Sequence, residues 1–328
     1  MTASNIAQAV NASRLIPLLL MYLPLQGVAM AQDSSSASAV PVADDPELEE
    51  VVVHAPEPRY VAPTTRDRIG RVWVPVYING KGPFRLVLDS GATRSALIPG
   101  VISALELHTG LTPPVMLRGV TGKAITQTVK LDRLTVGDLQ VGPSTVPIVA
   151  DAFGGADGLL GTEGMRDKRI FIDFRHDFIN ISRSQNRRAA FGFDTIPFLK
   201  DQLNLLVVKA TIGHREVRAI IDTGAQSTVG NMALHAMLRH QLSLNRSQDV
   251  VTGATGDTQS GIGVRVSPIS IGKLTIRDAH LTFGDLSIFE HWNMIDEPAV
   301  VIGMDILGLV DTLVIDYQRN EMHVKPRA

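Results

Sequence analysis

Leu86-Val87-Leu88-Asp89-Ser90-Gly91-Ala92-Thr93 and Ala219-Ile220-Ile221-Asp222-Thr223-Gly224-Ala225-Gln226 read almost alike. Each is an apolar, β-prone run that ends on Asp, followed by a small hydroxyl residue and Gly-Ala. A carboxylate at the end of a buried strand, followed by a glycine turn, costs free energy unless something uses it. Two copies in one chain predict two carboxylates that meet. Such a pair can share one proton and activate a water.

The surrounding chain repeats in the same order. Val74 to Gly80 precedes Asp89 as Leu206 to Gly213 precedes Asp222. Val120-Thr121-Gly122 matches Val251-Thr252-Gly253, and Leu134-Thr135-Val136-Gly137 matches Ile269-Ser270-Ile271-Gly272. Leu159-Leu160-Gly161 matches Val301-Ile302-Gly303, and Phe171-Ile172-Asp173-Phe174 matches Val314-Ile315-Asp316-Tyr317. The five separations are 133, 131, 135, 142 and 143 positions, a slow drift that predicts small loop insertions. A duplicated domain is the reading.

Each half consists of short strands between Gly, Pro and Asp turns, which predicts two all-β, barrel-like lobes. Val72-Trp73-Val74-Pro75-Val76-Tyr77-Ile78 reads as a strand, with Pro75 favouring a sheet edge. Asn79-Gly80-Lys81-Gly82-Pro83 is turn chemistry, and Phe84 to Leu88 is the returning strand. Helical spacing shows briefly at Asn231 to His240 and after the apolar-apolar-Gly landmarks. The predicted organisation is a signal peptide at 1–31, a disordered linker or pro-segment at 32–71, and lobes at 72–183 and 202–328. An interlobe linker at 184–201 carries Arg187-Arg188, read as solvated.

Composition removes several alternatives. The 328 residues are 45% hydrophobic and only 5% aromatic, so the cores must lean on Val, Ile and Leu. Net charge is −2, from 31 basic and 33 acidic residues, without the basic excess of a nucleic-acid binder. The absence of cysteine excludes disulfides, thiolate metal sites and a cysteine nucleophile. Arg14, the apolar run from Leu15 to Ala31 and the small-residue pattern Ala29-Met30-Ala31 have the anatomy of a secretory signal. Periplasmic or secreted localisation is therefore expected, with no stable membrane anchor after cleavage. Neither a Gly-x-Ser-x-Gly elbow nor a phosphate loop occurs, and the nine His show no His-Glu-x-x-His pattern. His235 and His240 stand five apart and do not share a helix face well. No metal or cofactor is expected.

The order of landmarks resembles the retropepsin-like aspartic proteases, particularly their bacterial branch, over roughly Val72 to Val324 in two copies. The resemblance implies two homologous retropepsin- or pepsin-like lobes with the active site in the cleft between them. Asp89 and Asp222 would be the catalytic pair. Ser90 and Thr223 would hydrogen-bond across the lobe boundary, and Gly91 and Gly224 would permit close approach of the loops. Gly161 and Gly303 would let each apolar-apolar-Gly strand pack beneath a catalytic loop. Hairpin flaps are implied at Arg118 to Lys123 and Val251 to Gly256, with Gly119, Val120, Thr121, Gly122, Thr252 and Gly253 as substrate-binding candidates.

The chain departs from the family pattern in three ways. Both lobes lie in one chain, so a monomer suffices for a dyad. The flaps lack the Tyr typical of pepsins. Thr162-Glu163 and Met304-Asp305 follow the landmark glycines, where retropepsins prefer Arg-Asp or Arg-Asn. The implied function is an aspartic endopeptidase acting on protein or peptide substrates. A catalytically silent peptide-binding protein on the same fold is the alternative. Asp-Ser/Thr-Gly is also good turn chemistry, but the duplicated partner strands favour chemistry for Asp89 and Asp222. Asp173 and Asp316 are read as structural turn residues.

Overall fold

The two strands that end on the motif aspartates sit in the interior of their sheets. In the computed structural model, Lys81–Leu88 pairs antiparallel with Trp73–Ile78 and parallel with Gly158–Leu160. Arg215–Ile221 is held in the same way, antiparallel to Leu206–Ile212 and parallel to Ala299–Ile302. Strands flanked on both sides and covered on both faces read as unbroken apolar runs. Leu86, Val87 and Leu88 are accordingly all buried, as are Ala219, Ile220 and Ile221. The first hairpin turns on Asn79 and Gly80, with φ of 51° and 79°, the left-handed pair that a two-residue turn between twisted strands requires.

The structure describes residues 60–63, 70–201, 204–242, 245–266 and 268–327. All fall in one compact unit, Ala55–Ala328. The expected signal peptide and most of the segment expected to be disordered at 32–71 lie outside the described residues.

Each half builds its own curled sheet, and the two share a third. The shared sheet has six strands in the order Tyr60–Pro63, Phe178–Arg183, Lys168–Asp173, Thr312–Asp316, Glu321–Lys325 and Asp194–Pro197. At its centre the duplicated landmarks pair with each other, Ile170 opposite Ile315 and Phe171 opposite Val314. Its outer strands correct two expected boundaries. Tyr60–Pro63 lies inside the stretch read as a disordered linker, and Asp194–Pro197 inside the interlobe linker. The two strands are equivalent, since each flanks the last hairpin of its half and each ends on Pro. The repeat thus begins a strand earlier than sequence matching placed it. Arg187 and Arg188, between the halves, are exposed, as expected.

The N half is broken where the C half is continuous. In the C half, Thr258–Val266 and Ala279–Phe283 run into the sheet that carries Asp222. Their counterparts in the N half, Thr128–Leu131 and Ser144–Pro147, form a separate pair. Pro147 gives the reason. The Thr282 N–H, at the corresponding place, donates to the Thr228 carbonyl at 3.2 Å, whereas proline has no N–H to offer. Among the described residues, only the Leu97–Ile148 bridge joins the N-half pieces there.

Pro75 also modifies an expectation. Its strand lies inside the sheet, with Leu134–Val136 on its far side. That ladder reaches only Tyr77 and Ile78, so Pro75 stands beyond its end.

Helix is sparse. Met232–Leu238 occupies the expected stretch, and its cap residue Asn231 accepts the Leu234 N–H at 2.8 Å. Met304–Leu307 follows Gly303 as expected, whereas a turn follows Gly161. Pro99–Ala104 and Ser287–His291 were not anticipated. The second is an insertion peculiar to the C half and accounts for the jump in repeat separation from 135 to 142 positions. It packs Ile288, Phe289 and Trp292 into a satellite core with Val207, Ile220 and Val301.

Candidate active site

The apolar strands deliver Asp89 and Asp222 to the same point. The Asp89 N–H donates to the Leu160 carbonyl at 2.9 Å, and the Asp222 N–H donates to the Ile302 carbonyl at 3.1 Å. Each aspartate is thus tied to the apolar-apolar-Gly strand of its own half. Beyond the aspartates the halves lock together. The Ser90 N–H donates to Thr223 Oγ1 at 3.1 Å, and the Thr223 N–H donates to Ser90 Oγ at 3.0 Å. Each hydroxyl then donates to a carbonyl of the opposite strand, Ser90 Oγ to Ile221 at 2.8 Å and Thr223 Oγ1 to Leu88 at 2.8 Å. Both residues are buried, so each bond satisfies a group that would otherwise be costly. Gly91 and Gly224 leave the room for this crossing. A Cβ on Gly91 would stand 2.6 Å from Asp222 Oδ2, and one on Gly224 would run into the Asp89 carboxyl carbon.

The two carboxyls stand close together, each against the glycine that follows the other, and both are held above the ordinary carboxylate range. Burial is the largest cause for each. For Asp89 the charge of Asp222 adds a second upward push, and Asp89 stands well above the usual value. The local bonds are unequal. Asp222 Oδ1 accepts the N–H groups of Gly224 at 2.9 Å and Ala225 at 3.1 Å. Asp89 Oδ1 accepts that of Gly91 at 2.9 Å. More donors favour the charged form, so the local bonds favour charge on Asp222 over Asp89.

A second pair of carboxyls lies beneath the first. Glu163 Oε1 accepts the Ser95 N–H at 2.7 Å, and the Gly161 N–H donates to Ser95 Oγ at 3.1 Å. In the C half, Asp305 accepts the Thr228 N–H at 2.9 Å and its hydroxyl at 2.7 Å, and the Gly303 N–H donates to Thr228 Oγ1 at 3.1 Å. Burial raises both carboxyls. Sequence reading noted Glu163 and Asp305 only as departures from a pattern. The duplicated hydroxyls Ser95 and Thr228 were the signal that could have paired them. Gly161 and Gly303 pack against the loops that follow the aspartates, as implied, touching Arg94 and Ser227 respectively.

Above the aspartates lies a cavity of about 800 Å³ lined by both halves. The implied flaps are hairpins at its roof, Val115–Arg118 with Lys123–Thr126 and Arg246–Thr252 with Thr258–Val266. Gly119, Val120, Thr252 and Gly253 line the cavity. Thr121 and Gly122 turn instead toward the opposite flap. Thr121 Oγ1 donates to the Asp257 carbonyl at 2.8 Å, and Gly122 lies against the Asp257 side chain.

The hairpin registers overturn one sequence match. The turn Gly119-Val120-Thr121-Gly122 corresponds to Gly253-Ala254-Thr255-Gly256, 134 positions on, and not to Val251-Thr252-Gly253. Turn position is fixed by which residues close the ladder, Arg118 with Lys123 and Thr252 with Thr258, whereas a shared tripeptide fixes nothing.

The remaining sequence candidates stay apart from the cavity. Asp173 accepts the N–H groups of Arg175 and His176, and Asp316 accepts the Arg319 N–H and the Ser184 hydroxyl, both as turn-forming residues. His235 packs edge-on against Phe283. Among the described residues no group of three or more His, Asp or Glu is placed to hold a metal ion.

The sequence profile of the aspartyl protease family matches residues 74–163 and 208–306, more than half of the chain. No curated relative matches. Among solved structures, the basic 7S globulin from soybean is similar over 83% of this chain and 97% of its own, at 10% identity and a TM-score of 0.44. A retropepsin-like aspartic protease from Rickettsia conorii is similar over 42% of this chain and 95% of its own, at 13% identity and a TM-score of 0.29. With two family regions folded as two lobes around paired aspartates, the chain belongs to the aspartyl protease family.

Proposed function

We propose that this protein is an aspartic endopeptidase whose Asp89–Asp222 pair activates water. The observation that carries the reading is the meeting of the two carboxyls across the crossed Ser90 and Thr223 bonds. In the resting state Asp89 holds the proton and Asp222 the charge. A water between them attacks the peptide carbonyl carbon as Asp222 takes its proton and Asp89 gives a proton to the carbonyl oxygen. Collapse of the tetrahedral intermediate breaks the C–N bond, and the proton on Asp222 passes to the leaving amine. The hydroxyl proton of the intermediate returns to Asp89, so the pair ends as it began.

A cavity of about 800 Å³ lined by both flaps supports a peptide substrate. The apolar run before Ala31 supports export to the periplasm or beyond. Mass spectrometry of exported protein is expected to find a mature N-terminus near Gln32. An intact N-terminus in the membrane fraction would contradict export by cleavage.

The deciding experiment compares wild type with Asp89→Asn and Asp222→Asn on a peptide library. Asn matches Asp in size but cannot exchange the proton, so both variants are expected to lose hydrolysis and keep peptide binding. Their melting temperatures should hold or rise, because one of two crowded carboxyls is gone. Hydrolysis near the wild-type rate in either variant would make these aspartates structural. Wild-type binding without cleavage from acid to neutral pH would make the protein a peptide-binding module.

A further inference from the structure

A cleft with two-fold symmetry holds an extended peptide equally well in either direction. This cleft is not symmetric in charge. Four pairs of related positions along it differ. Arg94 corresponds to Ser227, Arg118 to Thr252, Val115 to Asp249, and Thr145 to His280. The C-half charges are already engaged. Asp249 accepts His280 Nε2 at 2.6 Å, the Thr282 hydroxyl at 2.6 Å and the Ser247 hydroxyl at 2.7 Å. Arg118 is exposed and has no carboxylate partner among the described residues.

The inserted helix Ser287–His291 brings a second donor to Arg118. The Ile288 N–H donates to the Val120 carbonyl at 3.3 Å, which ties this helix to the flap that carries Arg118. His291, at the end of that helix, lines the same cavity. Burial and the nearby Arg118 push its imidazole below the ordinary range. An anion bound beside Arg118 would offset that push and favour the charged imidazole.

Resting on the peptidase reading, we infer that Arg118 and His291 form a carboxylate subsite beside the N-half flap, so that the substrate is a peptide whose acidic group lies always on the same side of the scissile bond. A guanidinium fork and a ring N–H lining one cavity suit a carboxylate. The subsite fixes the direction of the bound peptide, which the paired aspartates by themselves leave open. The acidic group can be an Asp or Glu side chain or a free C-terminus.

The test uses randomised decapeptides, one pool with free C-termini and one amidated. Wild type and Arg118→Thr, the residue found at the related position, are each digested with both pools. Retention of the same peptides is measured on Asp89→Asn and on Asp89→Asn combined with Arg118→Thr. Acidic residues are expected at one position of the products, favoured about ten-fold over Gln and Asn, as loss of one charged hydrogen bond implies. The preference should fall toward one in Arg118→Thr and survive in part in Arg118→Lys. A preference confined to the free-acid pool would assign the subsite to the C-terminus. Equal use of acidic and amide residues by wild type, or an unchanged preference in Arg118→Thr, would overturn the subsite while leaving the peptidase standing. Selective retention with no cleavage of any pool would do the reverse.

Discussion

The two halves of the molecule agree where the proposed chemistry demands it and differ where a substrate would touch. Asp89, Ser90, Gly91, Ser95 and Glu163 of the N half have counterparts in Asp222, Thr223, Gly224, Thr228 and Asp305, with matching partners. Away from that centre the resemblance fades. The C half runs its flap hairpin into one ten-stranded sheet, whereas the N half splits at Pro147. The C half also carries the inserted helix Ser287–His291, and residues 148–157, the corresponding stretch, carry none. A duplicated gene product is free to diverge only at positions that do not have to meet across the two-fold.

That comparison can be broken most sharply at the two glycines. Gly91→Ala and Gly224→Ala would each push a methyl group into the opposite aspartate. Both are expected to lower kcat/KM by at least about 100-fold, since a small misplacement of reacting groups costs that much. An active Gly224→Ala enzyme beside a dead Gly91→Ala one would mean that the halves are not equivalent at the centre.

The crossed hydroxyls come next. Ser90→Ala would leave the Thr223 N–H and the Ile221 carbonyl unpaired and buried, and Thr223→Ala would do the same to the Ser90 N–H and the Leu88 carbonyl. Each is expected to cost on the order of 2–4 kcal/mol in denaturant unfolding. Unequal costs would show that one half depends on the lock more than the other.

A smaller effect concerns pH. Glu163, Asp305 and both dyad carboxyls are raised by burial. A carboxyl with a folded pKa above its unfolded value favours folding below the unfolded value, and that contribution is lost as pH rises through the folded one. The melting temperature should therefore climb as pH falls from neutral toward about 4, the unfolded carboxylate range. Below that range it should drop, because Lys168 holds Asp167 low and Arg319 holds Glu321 low. Asp305→Asn should flatten the climb in thermal melts, and Glu163→Gln should match it. The smallest effect is at the flap tips. Thr121→Val removes the bond to the Asp257 carbonyl, worth about 1 kcal/mol. It should raise KM several-fold with little change in kcat, measured on one cleaved peptide.

The centre was legible in the sequence because the proposed chemistry needs each element twice, and repetition is visible without a structure. The dyad strands and the match of Phe171 with Val314 follow from it, whereas the crossing of Ser90 and Thr223 came from the family resemblance and the pairing of the matched strands from the structure. The flap register was not legible. Val-Thr-Gly occurs in both halves by coincidence, and only the ladder shows that Gly119 corresponds to Gly253. Glu163 and Asp305 were hidden because Glu and Asp differ in length and stand at different spacing from their hydroxyl partners. Ser287–His291 is five residues long, too short for a helical period to emerge. Tyr60–Pro63 and Asp194–Pro197 share little beyond a terminal proline, and their kinship shows only in the shared sheet.

The central claim is that Asp89 and Asp222 hold one proton between them. Its most direct measurement is a carboxyl titration by NMR, with ¹³C-labelled aspartate, of wild type and Asp222→Asn. The account predicts two steps for the pair in wild type, the last proton leaving well above the ordinary value of about 4. In Asp222→Asn the Asp89 step should move down, because the neighbouring charge is gone, yet stay above the ordinary value, because burial remains. Both carboxyls titrating independently near the ordinary value, unmoved by the substitution, would contradict it.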